Sequence, residues 1–165
     1  MRKIRNPYVE TEGYRCFGCA PGNTFGLQMR FLETEDSVIC RWEPADHFQG
    51  YDNVLHGGIQ ATLMDEIASW FIFVKLGTSG VTEEMQVQYL KPVLTTAGTV
   101  HLCATEETKA RRRAGIRVTL SQPEGTACST ALCRYAIYPE NVARRRLHYP
   151  GREAFAYPAG DDSAD

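Results

Sequence analysis

The sequence predicts an α+β domain in which an antiparallel β-sheet packs against one long helix. Three observations carry that expectation. A single helical pattern of apolar residues covers roughly 57–75, stretches of alternating apolar and polar residues lie on both sides of it, and the later stretches are joined by connections short enough for antiparallel neighbours. The 165 residues are 43% hydrophobic, which is enough apolar content for one core, so a single globular domain is expected.

The elements follow in order. Residues 1–24 form an N-terminal segment whose Cys16-x-x-Cys19 turn runs into Pro21-Gly22. Leu27, Met29 and Phe31 alternate with Gln28 and Arg30, and Val38, Cys40 and Trp42 alternate with Ile39 and Arg41, giving two strands. After a longer loop comes the helix. Ile59, Leu63, Ile67, Trp70, Phe71 and Val74 recur at helical spacing, while the other side carries Gly58, Ala61, Asp65, Ala68 and Ile72. A helix apolar nearly all round is buried on both sides, and Gly77 marks its end. Four more strands are expected over 82–91, 98–106, 114–122 and 126–138, separated by Pro92, the 107–113 loop and Pro123-Glu124-Gly125. Met85, Val87 and Tyr89 against Glu84, Gln86 and Gln88 give the cleanest period of two. Short connections argue for an antiparallel meander. The main domain is thus expected over 25–139, followed by a loosely packed tail over 140–165 with an Arg144-Arg145-Arg146 triplet and an acidic terminus.

The helix start holds the candidate chemistry. His56-Gly57-Gly58 opens the helix, and Asp65 lies inside it nine residues after the histidine. Two glycines let another group approach the free N–H donors, which together with the helix dipole form a site for an oxyanion. A carboxylate supplies a base or nucleophile, and acyl transfer needs that pair of functions. Glu66 falls at the edge of the apolar stripe and is read as structural. Gly57 and Asp65 are eight residues apart, so their backbones are separated by about 12 Å at the helical rise. Both donor and base must lie about 3 Å from the reacting atoms, so one chain cannot easily supply both to one carbonyl. Two antiparallel copies of the helix would bring Asp65 of one chain to Gly57 of the other.

Composition excludes several classes. With 18 basic and 20 acidic residues the net charge is −2, which gives no electrostatic case for nucleic acid. No apolar run reaches transmembrane length, the start has no apolar leader, and six cysteines read as reduced thiols of a cytoplasmic protein. Cys16 and Cys19 have half the spacing of a zinc site. Zinc needs two further ligands, and Cys40, Cys103, Cys128, Cys133 and the histidines show no paired spacing, so no metal is expected. A packed turn is the expected role of Cys16 and Cys19.

Strand-strand-helix followed by four strands, with His56-Gly57-Gly58 leading to Asp65, resembles a hotdog-fold acyl-CoA thioesterase of the PaaI-type group. The resemblance covers residues 14–139 and includes the stretch from Cys16 to Leu27, Gly80-Val81-Thr82 and Tyr89-Leu90-Lys91-Pro92. It implies an antiparallel sheet wrapped around one central helix, and hydrolysis of an acyl-CoA to free acid and CoA with no cofactor. It further implies that Asp65 activates water or attacks the thioester, that the Gly57 N–H polarises the thioester oxygen, with Gly58 beside it, and that Thr82 places the water. His56 is expected mainly to brace the helix start. Subunits of this family pair with helices antiparallel, so a homodimer or homotetramer is implied. Some relatives carry a polar side chain six residues before the histidine. This chain has Gly50 there, which leaves Gln49 and Asn53 as the nearby substrate-orienting candidates.

Lys109-Ala110-Arg111-Arg112-Arg113 occupies a loop between two strands. Arg111, Arg112 and Arg113 are candidates to grip the CoA phosphates, since guanidinium groups bind phosphate in a bidentate manner; a solvated basic loop is the alternative. Two other functions share such a pocket. A hotdog dehydratase or hydratase would need an acid about fourteen residues after His47-Phe48, where this chain has Ala61. A non-catalytic acyl-CoA-binding protein is the third reading, and the presence of Asp65 favours catalysis over it.

Overall fold

The computed structural model describes residues 1–158. One seven-stranded sheet is built from β1 (Arg2–Lys3), β2 (Phe31–Glu33), β3 (Ser37–Trp42), β6 (Gly80–Tyr89), β7 (Val100–Ala110), β8 (Arg113–Ser121) and β9 (Ala127–Ile137). Its order is β1-β2-β3-β7-β8-β9-β6, with every neighbouring pair antiparallel. A small separate ladder, β4 (Gln49–Tyr51) and β5 (Val54–Leu55), precedes the helix α1 (Gly57–Phe71). The α+β expectation of an antiparallel sheet wrapped on one long helix is therefore met.

Alternation explains which face the helix covers. Val38 and Cys40 on β3, Leu102 and Ala104 on β7, Ile116, Val118 and Leu120 on β8, and Ala131, Cys133 and Tyr135 on β9 are all at most 2% exposed. The register sets them in rows, with Cys40 opposite Leu102, Leu102 opposite Leu120 and Ile116 opposite Cys133. Against them α1 buries Leu63, Met64, Ile67, Ala68, Trp70 and Phe71. Each large side chain there contributes about 1.5–3 kcal/mol relative to exposure. The helix widens into a π-turn over Ile72–Leu76 and stops at Gly77, whose φ of 65° is the left-handed conformation that glycine adopts without strain. Its other side is not fully covered as expected: Gly58 is exposed, and Ala61, Thr62, Asp65 and Ser69 are only half-buried.

Three more expectations need correction. The four strands after the helix are not one meander. β7, β8 and β9 are, but β6 lies beyond β9 at the sheet edge. The connection from β6 to β7 contains Pro92, and instead of turning tightly it crosses to bond the loop before α1, through Leu55 N to Val93 O and Thr95 N to Asn53 O. Next, Leu27 and Met29 are buried but precede β2. Gln28 has φ of 50°, and the Leu27 and Met29 amides donate to Phe17 O and Gly18 O of the Cys16–Cys19 turn rather than to a strand. Finally, the described part of the tail is packed. Helix α2 (Glu140–Leu147) leads to Tyr149 and Phe155, which are 2% and 1% exposed and join Tyr8, Trp70 and Phe73 in an aromatic cluster. Tyr149 and Phe155, six positions apart in a polar stretch, pack against Phe73 at the end of the helical segment, and their burial outweighs the local polarity. Residues 159–165 of the expected tail lie outside the described residues. Among the described residues no helix is long and apolar enough to cross a membrane.

Candidate active site

Asp65 sits half-buried in the middle of α1, where β6 and β9 approach it. Its Oδ1 accepts from the Thr82 hydroxyl at 3.0 Å and from the Tyr135 hydroxyl at 2.6 Å. The Tyr135 hydrogen lies between two acceptors, because the Asp65 backbone oxygen is 2.8 Å from the same hydroxyl. Both side-chain donors converge on Oδ1, which leaves the lone pairs of Oδ2 to meet a water or a carbonyl carbon. Burial, and then the negative charge of Asp65, hold the Tyr135 phenol well above the ordinary phenol range, so it remains a donor at neutral pH. The same two causes push the nearby Cys133 thiol up to about 12, so it stays protonated.

Thr82 reaches this site through an irregularity in β6. Thr82 pairs with Tyr135, but Glu84 pairs with Arg134, so one extra residue is accommodated at Glu83. A bulge of one residue inverts the alternation beyond it. Thr82 consequently shares the inner face with Met85 and Val87, whereas strict alternation would put it on the outer face with Glu84 and Gln86.

At the other end of β6 lies the helix start. His56 is the N-cap of α1, and its Nδ1 accepts from the Gly58 N–H at 2.9 Å. A ring nitrogen that accepts carries no hydrogen, so neutral His56 holds its proton on Nε2. The Gly58 N–H is committed to that cap. Gly57, the first helical residue, has no intrahelical acceptor for its N–H, and none other accepts it among the described residues. Its carbonyl accepts from the Tyr89 hydroxyl at 2.8 Å. A Cβ on Gly57 would lie 3.3 Å from the Tyr89 Cζ and hydroxyl, so a glycine keeps this approach open.

The remaining sequence candidates surround that helix start. Asn53, at φ of 57°, accepts through Oδ1 from the Thr95 hydroxyl at 3.1 Å and the Thr96 N–H at 3.0 Å, and the Gln49 Oε1 accepts from the Asn53 N–H at 3.0 Å. Both side chains thus hold the loop ahead of α1. The absence of a side chain at position 50 has a steric counterpart, since a Cβ there would lie 3.0 Å from the His56 ring. Arg111 and Arg112 are exposed at the β7–β8 turn, and Arg113 donates to Glu83 at 3.1 Å. Arg113 pairs in register with Ala136, next to Tyr135, which puts this turn at the Asp65 end of the site.

One chain therefore brings Asp65 together with Thr82, and His56 together with Gly57 and Gly58, but it does not join the two groups. Along α1 they stay about 12 Å apart. Two residues that the sequence does not mark as site residues complete the halves, Tyr135 beside Asp65 and Tyr89 beside Gly57. Tyr135 carries a signal, a polar tip at the end of the inward row Ala131, Cys133, Tyr135; Tyr89 stands in an alternating row and in the Tyr89–Pro92 stretch of the resemblance, neither of which points its hydroxyl to Gly57.

The sequence profile described as Thioesterase superfamily matches residues 52–129, which contain the helix start, Asp65 and Thr82. No curated protein matches the chain. Among solved structures, a Streptococcus mutans protein bound to acetyl-CoA is 20% identical, with a TM-score of 0.64, 79% of this chain covered and 98% of that one. A hypothetical thioesterase of Streptococcus pneumoniae with coenzyme A is 19% identical, with a TM-score of 0.62 and coverage of 68% and 90%. Zebrafish thioesterase superfamily member 2 is 21% identical, with a TM-score of 0.60 and coverage of 67% and 81%. Residues 52–129 are thus similar to the thioesterase superfamily, and the antiparallel sheet around one long helix has the hotdog fold of these solved structures.

Proposed function

We propose that this protein hydrolyses an acyl-CoA thioester to the free acid and CoA, at a site shared by two copies of the chain. The observation that carries the reading is the Asp65 carboxylate, fixed through one oxygen by Thr82 and Tyr135 on a helix whose first N–H has no acceptor among the described residues. Oδ2 of Asp65 takes a proton from water as the water attacks the thioester carbon, or attacks that carbon itself. The developing oxyanion meets the Gly57 N–H of the other copy, strengthened by the helix dipole. Collapse expels the CoA sulfur, which takes up the proton from Asp65; where Asp65 itself attacks, the sulfur leaves first, and water then cleaves the acyl-Asp65 anhydride, releasing the acid, restoring the carboxylate and supplying the thiol proton. Water is the only co-reactant, so no cofactor is required. His56 fixes the glycine turn through its cap on Gly58, and Arg111 and Arg112 face the CoA phosphates. Gln49 and Asn53 support the loop that carries His56.

A second copy fits the edge of the sheet. β6 is ten residues long, pairs on one side only among the described residues, and leaves Val81 and Tyr89, with Leu90 just after it, between 44% and 54% exposed. Long uncovered edges favour pairing with another strand. Thr82 with Asp65 lies at one end of β6 and Tyr89 with Gly57 at the other, so an antiparallel copy along this edge puts each half-site against its complement. Two acyl-CoA- or CoA-bound relatives support the ligand class, and six free cysteines fit a reducing cytoplasm.

The test is a thiol-release assay across short, medium, long and aromatic acyl-CoAs, run beside an enoyl-CoA hydration assay. Thiol release by the wild type, lowered by about 10²–10⁴-fold in Asp65→Asn, is expected. Hydration without thiol release, or binding without either, would overturn it.

A further inference from the structure

We propose that Cys16, Cys19 and Glu66 form a zinc-type metal site that ties the N-terminal loop to the middle of α1, with water as the fourth ligand. Sequence spacing offered only the two cysteines; the third group comes from the helix, 50 residues away. The Cys16 Sγ, the Cys19 Sγ and a Glu66 carboxylate oxygen all lie within 4.8 Å of one another. Cys16 Sγ is 3.6 and 3.7 Å from the two Glu66 oxygens. A tetrahedral zinc with Zn–S of about 2.3 Å and Zn–O of about 2.0 Å sets sulfur and oxygen about 3.5 Å apart, so the ion enters with little movement of that pair.

The surroundings are built for this geometry. Gly18 closes the turn onto the carboxylate, where a Cβ would lie 2.4 Å from Glu66 Cδ. The Leu27 N–H bonds Phe17 O at 2.7 Å and the Met29 N–H bonds Gly18 O at 2.9 Å, which pins the turn from behind. Trp70 Nε1 donates to Glu66 Oε1 at 3.0 Å, and the Tyr14 hydroxyl is 2.8 Å from Cys19 Sγ. Such outer contacts orient metal ligands. Two thiolates and a carboxylate sum to three negative charges, which a divalent soft cation offsets better than any neighbouring side chain. Among the described residues no lysine or arginine pairs with Glu66.

The chelator-stripped, reduced full chain is titrated with Co²⁺ and then with Zn²⁺. One equivalent of Co²⁺ with tetrahedral visible bands and a thiolate charge-transfer band, displaced by Zn²⁺, is expected. Cys16→Ser with Cys19→Ser removes the charge-transfer band, Glu66→Gln weakens binding by at least about tenfold, and Cys103→Ser, an exposed cysteine remote from the cluster, changes nothing. Zinc X-ray absorption on the wild type, which needs no variant to fold, should give two sulfur neighbours at about 2.3 Å with lighter ligands completing the shell. A shell without sulfur, retention of the charge-transfer band in the double cysteine variant, or no metal uptake by the reduced chain would overturn the site.

Discussion

Tyr135→Phe isolates the contact that holds the candidate base. The hydroxyl is 2.6 Å from Asp65 Oδ1, and the ring is 1% exposed. Phenylalanine refills the ring volume and removes only the donor. A hydrogen bond to a charged group is worth about 1.5–3 kcal/mol, and at about 1.36 kcal/mol per decade of rate this gives a fall of roughly 10- to 150-fold in kcat/KM. The fold should tolerate the change, since the Asp65 carbonyl remains within its helix. Thr82→Val removes the second donor to the same oxygen, at 3.0 Å, and should cost less. Because both donors share Oδ1, the double variant should depart from the product of the singles. The assay is thiol release over a range of acyl-CoA concentrations, with circular dichroism to establish folding. A folded Tyr135→Phe enzyme within twofold of wild-type kcat/KM would refute the reasoning that this phenol positions Asp65.

Two further outcomes follow from other parts of the molecule. Arg111→Ala with Arg112→Ala should raise KM for acyl-CoA and leave acyl-pantetheine esters nearly unaffected, because both side chains are exposed while Arg113 is held by Glu83; equal losses on both substrates would make the turn structural. Phe155→Ala should destabilise the fold by about 3–5 kcal/mol, read as a drop in the denaturant midpoint, since a buried ring in the aromatic cluster leaves a cavity; a change below about 1 kcal/mol would mean the C-terminal segment is not part of the core.

The legible parts of this chain are those where one local period decides. The stripe from Ile59 to Val74 gave the helix, and alternation from Val38 to Trp42 gave a strand whose inward side chains are all buried. The illegible parts depend on partners distant in sequence. Alternation around Met85 assigns Thr82 to the outer face, and only the bulge at Glu83 turns it toward Asp65. No spacing connects Tyr135 to Asp65, 70 residues away, or Glu66 to Cys16. The C-terminal segment reads as a polar tail because Tyr149 and Phe155 are isolated in it, and their burial depends on a groove made by Tyr8 and Phe73. Edge position is likewise invisible locally: β6 has the cleanest alternation, yet among the described residues it pairs on one side only.

The most direct test of the shared site mixes two inactive variants. Asp65→Asn removes the carboxylate, and Gly57→Val fills the space beside Tyr89 that keeps the N–H open, with a loss of about 2.7–4 kcal/mol of transition-state stabilisation for one donor. After subunit exchange, a heterodimer has one site that is wild-type at both positions. If Asp65 and Gly57 act across two chains, an equal mixture should recover up to about a quarter of wild-type thiol release by random pairing. If both folded variants exchange, as seen by mass spectrometry, and the mixture stays inactive, the two residues do not serve one site across the interface.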